Sequence, residues 1–238
     1  MESKEIIANI DSIYERFNIP PNLIAHMKRV ASVGALICDN LNVSLSELNK
    51  RDGLDIDFKR DDIVGFLLIH DLGNLIKFRF DSDYVRSMLG THDEKIIDHW
   101  RKIREDVINK YGKSVSKATV MMASEIGVSN AISHLLDNLD FGKTDSIADG
   151  NDWVLKLCAY SDFRVGPFGV VSLRERIDDL RRRYQGQSFV GKEIDVTSER
   201  AEFLYKCDFE IEKQVMAHCN ITSEDITEES IRAYFEQF

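Results

Sequence analysis

Apolar residues recur along much of this chain at steps of three and four, which is the period of one face of an α-helix. The clearest stripe follows Pro20 and Pro21 and consists of Leu23, Met27, Val30, Gly34, Ile37 and Leu41. Because proline suits the first turn of a helix, this spacing predicts a helix that begins at the proline pair. No stretch alternates apolar and polar residues for long enough to indicate a sheet, so we expect an all-α protein.

The other helices are predicted from the same period and from capping residues. Thr91 and Glu94 form a capping-box pattern before a helix that should end near Tyr111 and Gly112. Further helices are predicted over residues 4–17, 117–126, 130–139, 152–165, 171–184, 197–219 and 223–238. The charged run 50–62 predicts a solvated connection. Since there is no repeat or low-complexity linker, we expect one domain over residues 1–238, with about 190–238 as a helical extension.

The stretch 62–77, DIVGFLLIHDLGNLIK, places polar groups where an apolar stripe should continue. His70 falls seven residues after Ile63 and three after Leu67, so it ends a stripe that points into a core. Asp71 follows at once, and Gly73 lets the backbone turn away, so the two polar side chains should converge near a helix end. Mn, Fe, Co, Ni, Zn and, less readily, Mg accept imidazole and carboxylate ligands. The pair therefore predicts half of a metal site.

Two side chains on other predicted helices are candidates for the other half. His26 aligns with Val30 and Val33 on the flank of the stripe that follows the prolines. Asp162 stands four residues after Cys158, on an inward flank near a helix end. A carboxylate buried there without a partner would be costly or would have to protonate, and a metal removes that cost. Two imidazoles and two carboxylates from three helices make a ligand set for one divalent ion.

Composition narrows the class of partner. The formal charge of −10 over 238 residues opposes non-specific binding to nucleic acid. The four cysteines lie far apart without a C-x-x-C pair, which fits reduced thiols in the cytosol. No basic segment followed by an apolar run opens the chain, and no stretch approaches the roughly 20 apolar residues that a membrane span needs. We expect a cytoplasmic protein with neither a membrane nor a nucleic-acid partner.

The ordered motifs around these residues resemble the signature of the HD-domain metal-dependent phosphohydrolases. They read His26-x-x-Arg-Val, Leu-Ile-His70-Asp71-Leu-Gly and Ala-Tyr-Ser-Asp162, and the resemblance covers about residues 20–180. It implies an HD-domain helical bundle in which His26, His70, Asp71 and Asp162 bind a divalent metal. In that family the metal polarises a phosphoryl group and lowers the pKa of a water that attacks phosphorus. Asp71 would also help to orient that water.

Three further residues are site candidates of a second kind. Several branches of the family carry a lysine, and others a glutamate that acts as an acid, where this chain has Asn74. Asparagine can orient a water or a phosphate oxygen but cannot exchange a proton, so an acid role at this position is in question. Lys77 follows one turn further on, and Arg164 stands two residues after Asp162. Either cation would hold a phosphate ester, Arg164 by a bidentate contact and Lys77 as a point charge.

Extra histidines between the doublet and the last aspartate mark those family members that bind two metals. His99 aligns with apolar residues ahead of Tyr111 and Gly112, so it is either a ligand or near-site residue or a core histidine bonded to a carbonyl. His134 has the same two readings, although the doubled histidine typical of that place is absent.

The sequence thus predicts a cytoplasmic hydrolase that uses a divalent metal to cleave a phosphomonoester or phosphodiester, with a nucleotide as the favoured substrate. The alternative is a regulatory module with the same fold that binds metal or nucleotide and has weak or no turnover, which Asn74 supports. A third reading has four ordinary polar core residues and no metal. The late amphipathic helices fit either the completion of the core or a homodimer face.

Overall fold

The computed structural model describes residues 1–52, 56–184 and 198–238. Within these ranges the chain forms fourteen α-helices: α1 Ser3–Ala8, α2 Ile10–Arg16, α3 Pro21–Asp39, α4 Leu45–Asp52, α5 Arg60–Ile69, α6 Asp83–Leu89, α7 Glu94–Tyr111, α8 Val115–Ile126, α9 Asn130–Asn138, α10 Thr144–Asp149, α11 Trp153–Phe163, α12 Leu173–Tyr184, α13 Glu199–Met216 and α14 Arg232–Phe235. Three 3₁₀-helices cover Leu72–Lys77, Phe141–Lys143 and Ser223–Asp225. The only β-contacts in the described ranges are two isolated bridges, so the all-α prediction is confirmed.

The pairing of α3 with α5 is the centre of the fold. The faces of both helices are fully buried, with Val30, Met27, Ile63 and Leu67 all at 0% exposure. Gly34 lets the two helices approach, because a Cβ atom there would collide with Cδ1 of Leu67. The glycine in the apolar stripe of α3 is therefore explained by close packing.

A second close contact turns the chain at the end of α5. Gly73, in the 3₁₀-helix Leu72–Lys77, lies against the first turns of α8, where a Cβ atom would come within 2.7 Å of the Val115 carbonyl oxygen. The Gly73 amide donates a hydrogen bond to Thr119 Oγ1 at 3.0 Å. Because the chain turns here, His70 and Asp71 are left at the helix end, where their side chains face a cavity.

Arg164 ties the end of α11 to the C-terminal part of the chain. Its side chain is buried and donates hydrogen bonds to the carbonyl oxygens of Val171, Ser223 and Ile226 and to the hydroxyl of Tyr160. These bonds hold the residues around 223–226 against the helix that carries Asp162.

Several predicted boundaries are confirmed. The helix that begins after the prolines, the helix that ends at Tyr111 before Gly112, and the helices near 117–126, 130–139, 152–165, 171–184 and 197–219 are all present. The start of the proposed C-terminal extension, residues 190–197, lies outside the described residues.

Other boundaries are corrected by the structure. The predicted helix 4–17 is broken at Asn9 into α1 and α2. The charged run 50–62 contains the end of α4 and the start of α5, and its residues 53–55 lie outside the described ranges. The cap of α7 is Asp93, whose side chain accepts the Lys95 amide, whereas Glu94 pairs with Arg86. The predicted terminal helix 223–238 consists of a 3₁₀-turn and the four-residue α14.

None of the described helices is both long and apolar enough to cross a membrane.

Candidate metal centre

Three helices bring the four predicted ligands to one place. His26 lies in the second turn of α3, His70 follows the last residue of α5, Asp71 comes next, and Asp162 is in the last turn of α11. Helices α3, α5 and α11 all pack against one another, so the four side chains meet where these three elements join. The convergence predicted for them is what the structure shows.

The donor atoms lie close enough to face a single point. His26 Nε2 lies 3.3 Å from Asp162 Oδ1 and 3.7 Å from Asp71 Oδ2. His70 Nε2 lies 3.6 Å from Asp162 Oδ1 and 3.9 Å from Asp71 Oδ2. The donor atoms of His26, His70 and Asp71 all lie within 4.8 Å of one another. Each imidazole nitrogen thus has one oxygen of Asp71 and one oxygen of Asp162 as its neighbours.

The orientation of the His70 ring is set by the backbone. Its Nδ1 lies 2.6 Å from the Leu67 carbonyl oxygen, and because a carbonyl can only accept, Nδ1 is the donor. In the neutral ring Nε2 then carries the lone pair. That nitrogen is buried and has no hydrogen-bond partner among the described residues. A buried nitrogen that faces two carboxylates and another imidazole is a metal-ligand geometry.

The pKa values of His26, His70 and Asp162 are all shifted from their ordinary values. Burial lowers the pKa of His26, although the carboxylates of Asp162 and Asp71 oppose this. Burial also acts against the charged form of His70, but Asp71 and Asp162 outweigh it and raise the pKa of His70 to about 9. Burial would raise the pKa of Asp162, whereas the two nearby histidines hold it well below the ordinary value. In the absence of a metal, the proton on His70 therefore compensates the carboxylates, and a bound metal would have to displace that proton.

Asn74 holds one of the carboxylates in place. Its side-chain amide donates a 2.5 Å hydrogen bond to Asp71 Oδ2. Its own carbonyl oxygen is buried and has no partner among the described residues. Asn74 is thus a positioning residue for Asp71 and presents a free acceptor beside it.

His26, His70 and Asp71 form a group that could hold a divalent cation, and Asp162 Oδ1 lies near both histidines of that group. Ligands at about 2.1 Å from one ion lie about 3.0–3.4 Å from each other. Of the separations between nitrogen and oxygen, the shortest, 3.3 Å, lies within this range, and the longest, 3.9 Å, exceeds it by a few tenths of an ångström. Small side-chain rotations therefore suffice to coordinate an ion. The imidazole and carboxylate donors suit Mn, Co, Ni, Fe or Zn, and Mg less readily.

The cluster opens into a cavity of about 320 Å³. Its wall includes Asn74 and Lys77, which the sequence also singles out, and Arg79 next to them. Four basic side chains line it: Lys77, Arg79, Arg176 and Arg183. Four acidic side chains line it as well: Asp71, Asp140, Asp162 and Asp208. The cavity wall therefore carries four basic and four acidic side chains in addition to His26 and His70.

Three predicted site residues lie elsewhere. Arg164 is only 3% exposed, and its guanidinium is engaged by protein oxygens, so the prediction that it holds phosphate is wrong. His99 is exposed on α7 with its ring against Trp100. His134 lies 2.8 Å from the Asp152 carboxylate and near the Phe58 ring. Neither histidine lines the cavity, so the prediction that they bind metal in it is wrong as well.

Sequence reasoning missed the cavity residues on α12 and α13. Arg176 and Arg183 are seven residues apart on α12 and both line the cavity. Their mixed-charge helix indicates intrahelical ion pairs, and these are present, since Arg183 lies 2.7 Å from Asp179. Asp208 of α13 falls four residues after Leu204 and three before Ile211, so the signal that would have found it is a carboxylate within an apolar stripe.

Comparisons of the chain with protein-family models, with curated proteins and with solved structures found no match.

Proposed function

We propose that this protein is a divalent-metal-dependent phosphohydrolase of the HD-domain class that acts on a phosphomonoester or phosphodiester, with nucleotides as the favoured substrates. The observation that carries the proposal is the buried His70 Nε2, which lacks a hydrogen-bond partner among the described residues and faces His26, Asp71 and Asp162 at the cavity wall. A buried polar atom left without a partner is costly, and a cation accounts for it.

His26, His70, Asp71 and Asp162 would hold the cation. When bound, it supplies Lewis-acid chemistry, which makes a phosphoryl group more electrophilic and water more acidic. Within the cluster, Asp71 is held by the 2.5 Å hydrogen bond that the Asn74 side chain donates to its Oδ2. Its carboxylate would orient a water for attack. Asn74 would act through Asp71, since its own side-chain oxygen is buried.

The cations of the cavity wall would hold the phosphate. Lys77 is half-buried, is the last residue of the 3₁₀-helix that carries Asn74, and lines the cavity, as does the more exposed Arg79. A metal at the cluster would add to the positive charge that these side chains offer to a phosphate ester. The oligomeric state and the cytoplasmic location remain predictions from the sequence.

The regulatory module is a second candidate function because of one observation. Asn74 is 7% exposed and is committed to Asp71, and an amide there transfers no proton. A site that binds metal and phosphate without a proton donor for the leaving group would have slow turnover.

The deciding experiment compares the wild type with His70→Ala, Asp162→Asn and the control His99→Ala, a histidine that is exposed outside the cavity. Each protein is purified without chelator, its metal content is measured, and phosphate release is screened over a nucleotide panel with Mn, Co, Ni and Mg. We expect stoichiometric metal and phosphate release in the wild type and in His99→Ala, and loss of both in the two cluster variants.

Metal without turnover on any phosphate ester would support the regulatory module. Absence of metal under every addition would refute both functions and favour a cluster of ordinary polar residues. Circular dichroism of each variant separates loss of metal from loss of fold.

A further inference from the structure

Asp208 is a buried carboxylate that the proposed chemistry leaves unused. It lies on α13, is 5% exposed, and lines the same cavity as the metal cluster. Its Oδ2 is buried and has no hydrogen-bond partner among the described residues. No described basic side chain forms an ion pair with it, in contrast to Asp162 beside two histidines and Asp152 beside His134.

The absence of such a partner has an energetic cost. Burial, and secondly the charge of Asp162, raise the pKa of Asp208 well above its ordinary value. Buried polar groups in folded proteins almost always have a partner, and the exceptions occur where a ligand supplies it. Because Asp208 lines the cavity, a molecule that enters the cavity can supply the missing partner.

The surroundings of Asp208 limit what that molecule is. The same wall contains Phe141, Phe163, Ile147 and Leu180, all of which are apolar. The rings of Phe141 and Phe163 stack at 5.8 Å with an angle of 17°, and both side chains are only partly buried. Such a wall accepts a flat apolar group, and the acceptor of Asp208 that lacks a partner favours a group that carries a hydrogen-bond donor.

We propose that Asp208 is a specificity-determining residue that accepts a hydrogen bond from an amino-substituted nucleobase of the substrate. This inference rests on the proposed function, since the phosphate end of the nucleotide would lie at the metal cluster. Asp208 does not touch the reacting atoms. It decides which nucleotides bind by leaving a buried acceptor unsatisfied when the base lacks the donor.

The test uses ligand pairs that differ by one amino group: AMP with purine riboside monophosphate, CMP with 2-pyrimidinone riboside monophosphate, and GMP with IMP. Ribose 5-phosphate serves as the ligand without a base. For each, kcat/KM for phosphate release is measured in the wild type, Asp208→Leu, Asp208→Asn and the control Glu210→Leu, an exposed position on the same helix. Binding of the corresponding nucleosides without phosphate is measured by calorimetry, so the result does not depend on hydrolysis.

In the wild type and Glu210→Leu we expect at least one amino-bearing ligand to be favoured over its partner by more than tenfold. Asp208→Leu should reduce that ratio to near one, and the ratio, unlike kcat/KM for ribose 5-phosphate alone, is independent of any general effect of the variant on the cavity. Asp208→Asn keeps an acceptor oxygen, so it should retain part of the preference, and it also serves if the leucine variant fails to fold.

An equal preference in the wild type and Asp208→Leu, or no binding of any amino-bearing nucleoside to the wild type, would overturn the inference. Phosphate release without base preference would do so while leaving the hydrolase intact. Selective nucleoside binding that disappears in Asp208→Leu without any phosphate release would uphold the role of Asp208 and refute the hydrolase.

Discussion

The geometry of individual side chains decides what the cluster can bind. His70 is oriented by the Leu67 carbonyl, and Asp71 is oriented by Asn74. In each case the group behind the ligand fixes which atom faces the cavity. Positioning contacts of this kind typically change metal affinity by about 10- to 100-fold when they are removed.

Replacing Asn74 by alanine should therefore weaken metal binding by about 10- to 100-fold, because Asp71 loses the hydrogen bond that holds it. A competition titration against a coloured chelator measures the affinity. Asn138→Ala is the matched control, since that amide bonds to the His134 carbonyl outside the cavity. Equal affinities for the two variants would show that Asn74 does not position Asp71.

Asp208→Asn should stabilise the metal-free protein at pH 7. The folded-state pKa of Asp208 is raised by burial and by the charge of Asp162, so Asp208 favours folding most at low pH and loses that contribution as pH rises above the unfolded value. The neutral amide has no such loss. Thermal melts with chelator should show a higher Tm for the variant at pH 7 and no difference below about pH 4, near the ordinary pKa of aspartate. A difference in Tm that is independent of pH would contradict this.

The limits of sequence reasoning at this scale are physical. The four candidate ligands are predictable because each polar group interrupts or flanks an apolar stripe of its own helix. Arg164 carries the same charge whether it faces the cavity or the carbonyl oxygens of Ser223 and Ile226, which lie about sixty residues away in sequence. Local pattern contains no information about such distant partners.

At the scale of elements, two close contacts position the cluster: α3 against α5 at Gly34, and the 3₁₀-helix Leu72–Lys77 against α8 at Gly73. The long helices α3, α7 and α13 follow the apolar period closely enough to be predicted, whereas the break at Asn9 and the short α14 depend on tertiary contacts. The close approach of α3 and α5 is a further feature that the period does not reveal, because a glycine in a stripe reads as a weak helix former.

Gly34→Ala should destabilise the protein by about 1–3 kcal/mol, because the added methyl group collides with Leu67. Urea unfolding of a double-mutant cycle with Leu67→Ala tests the cause. Leu67→Ala alone leaves a cavity, and the double variant should be more stable than the sum of the two single effects predicts. Additive effects would show that the two side chains do not compete for the same space.

Arg164→Lys should lower the free energy of unfolding by about 2–4 kcal/mol, because a single ammonium group cannot satisfy the oxygens that the planar guanidinium serves. The metal content should remain that of the wild type, since Arg164 does not line the cavity. Arg174→Lys, at an exposed position, is the control for chemical denaturation. Loss of metal in a folded Arg164→Lys protein would show that Arg164 does contribute to the metal site.

At the scale of the whole molecule, the candidate centre joins parts of the chain that are distant in sequence. Its ligands span residues 26–162, and the helices that carry them also contact the C-terminal segment, through α14 on α3 and through Arg164. Without a metal, the carboxylates at this junction are compensated by His70, whose pKa they raise to about 9, and a divalent cation would compensate them more fully. Metal binding and global stability should therefore be coupled.

Chelation should lower the Tm of the wild type by about 5–10 °C when the metal is otherwise present at 100 times its Kd. The estimate follows because ligand at that excess contributes about 2.7 kcal/mol to stability, and 1 kcal/mol corresponds to about 2–4 °C in a chain of this size. Calorimetry with and without EDTA measures the shift. Asp162→Asn removes a ligand while keeping the shape of the side chain, so its Tm should not respond to EDTA. A shift of equal size in that variant would mean that the stabilising cation binds elsewhere, and its absence in both proteins would mean that the three helices meet without one.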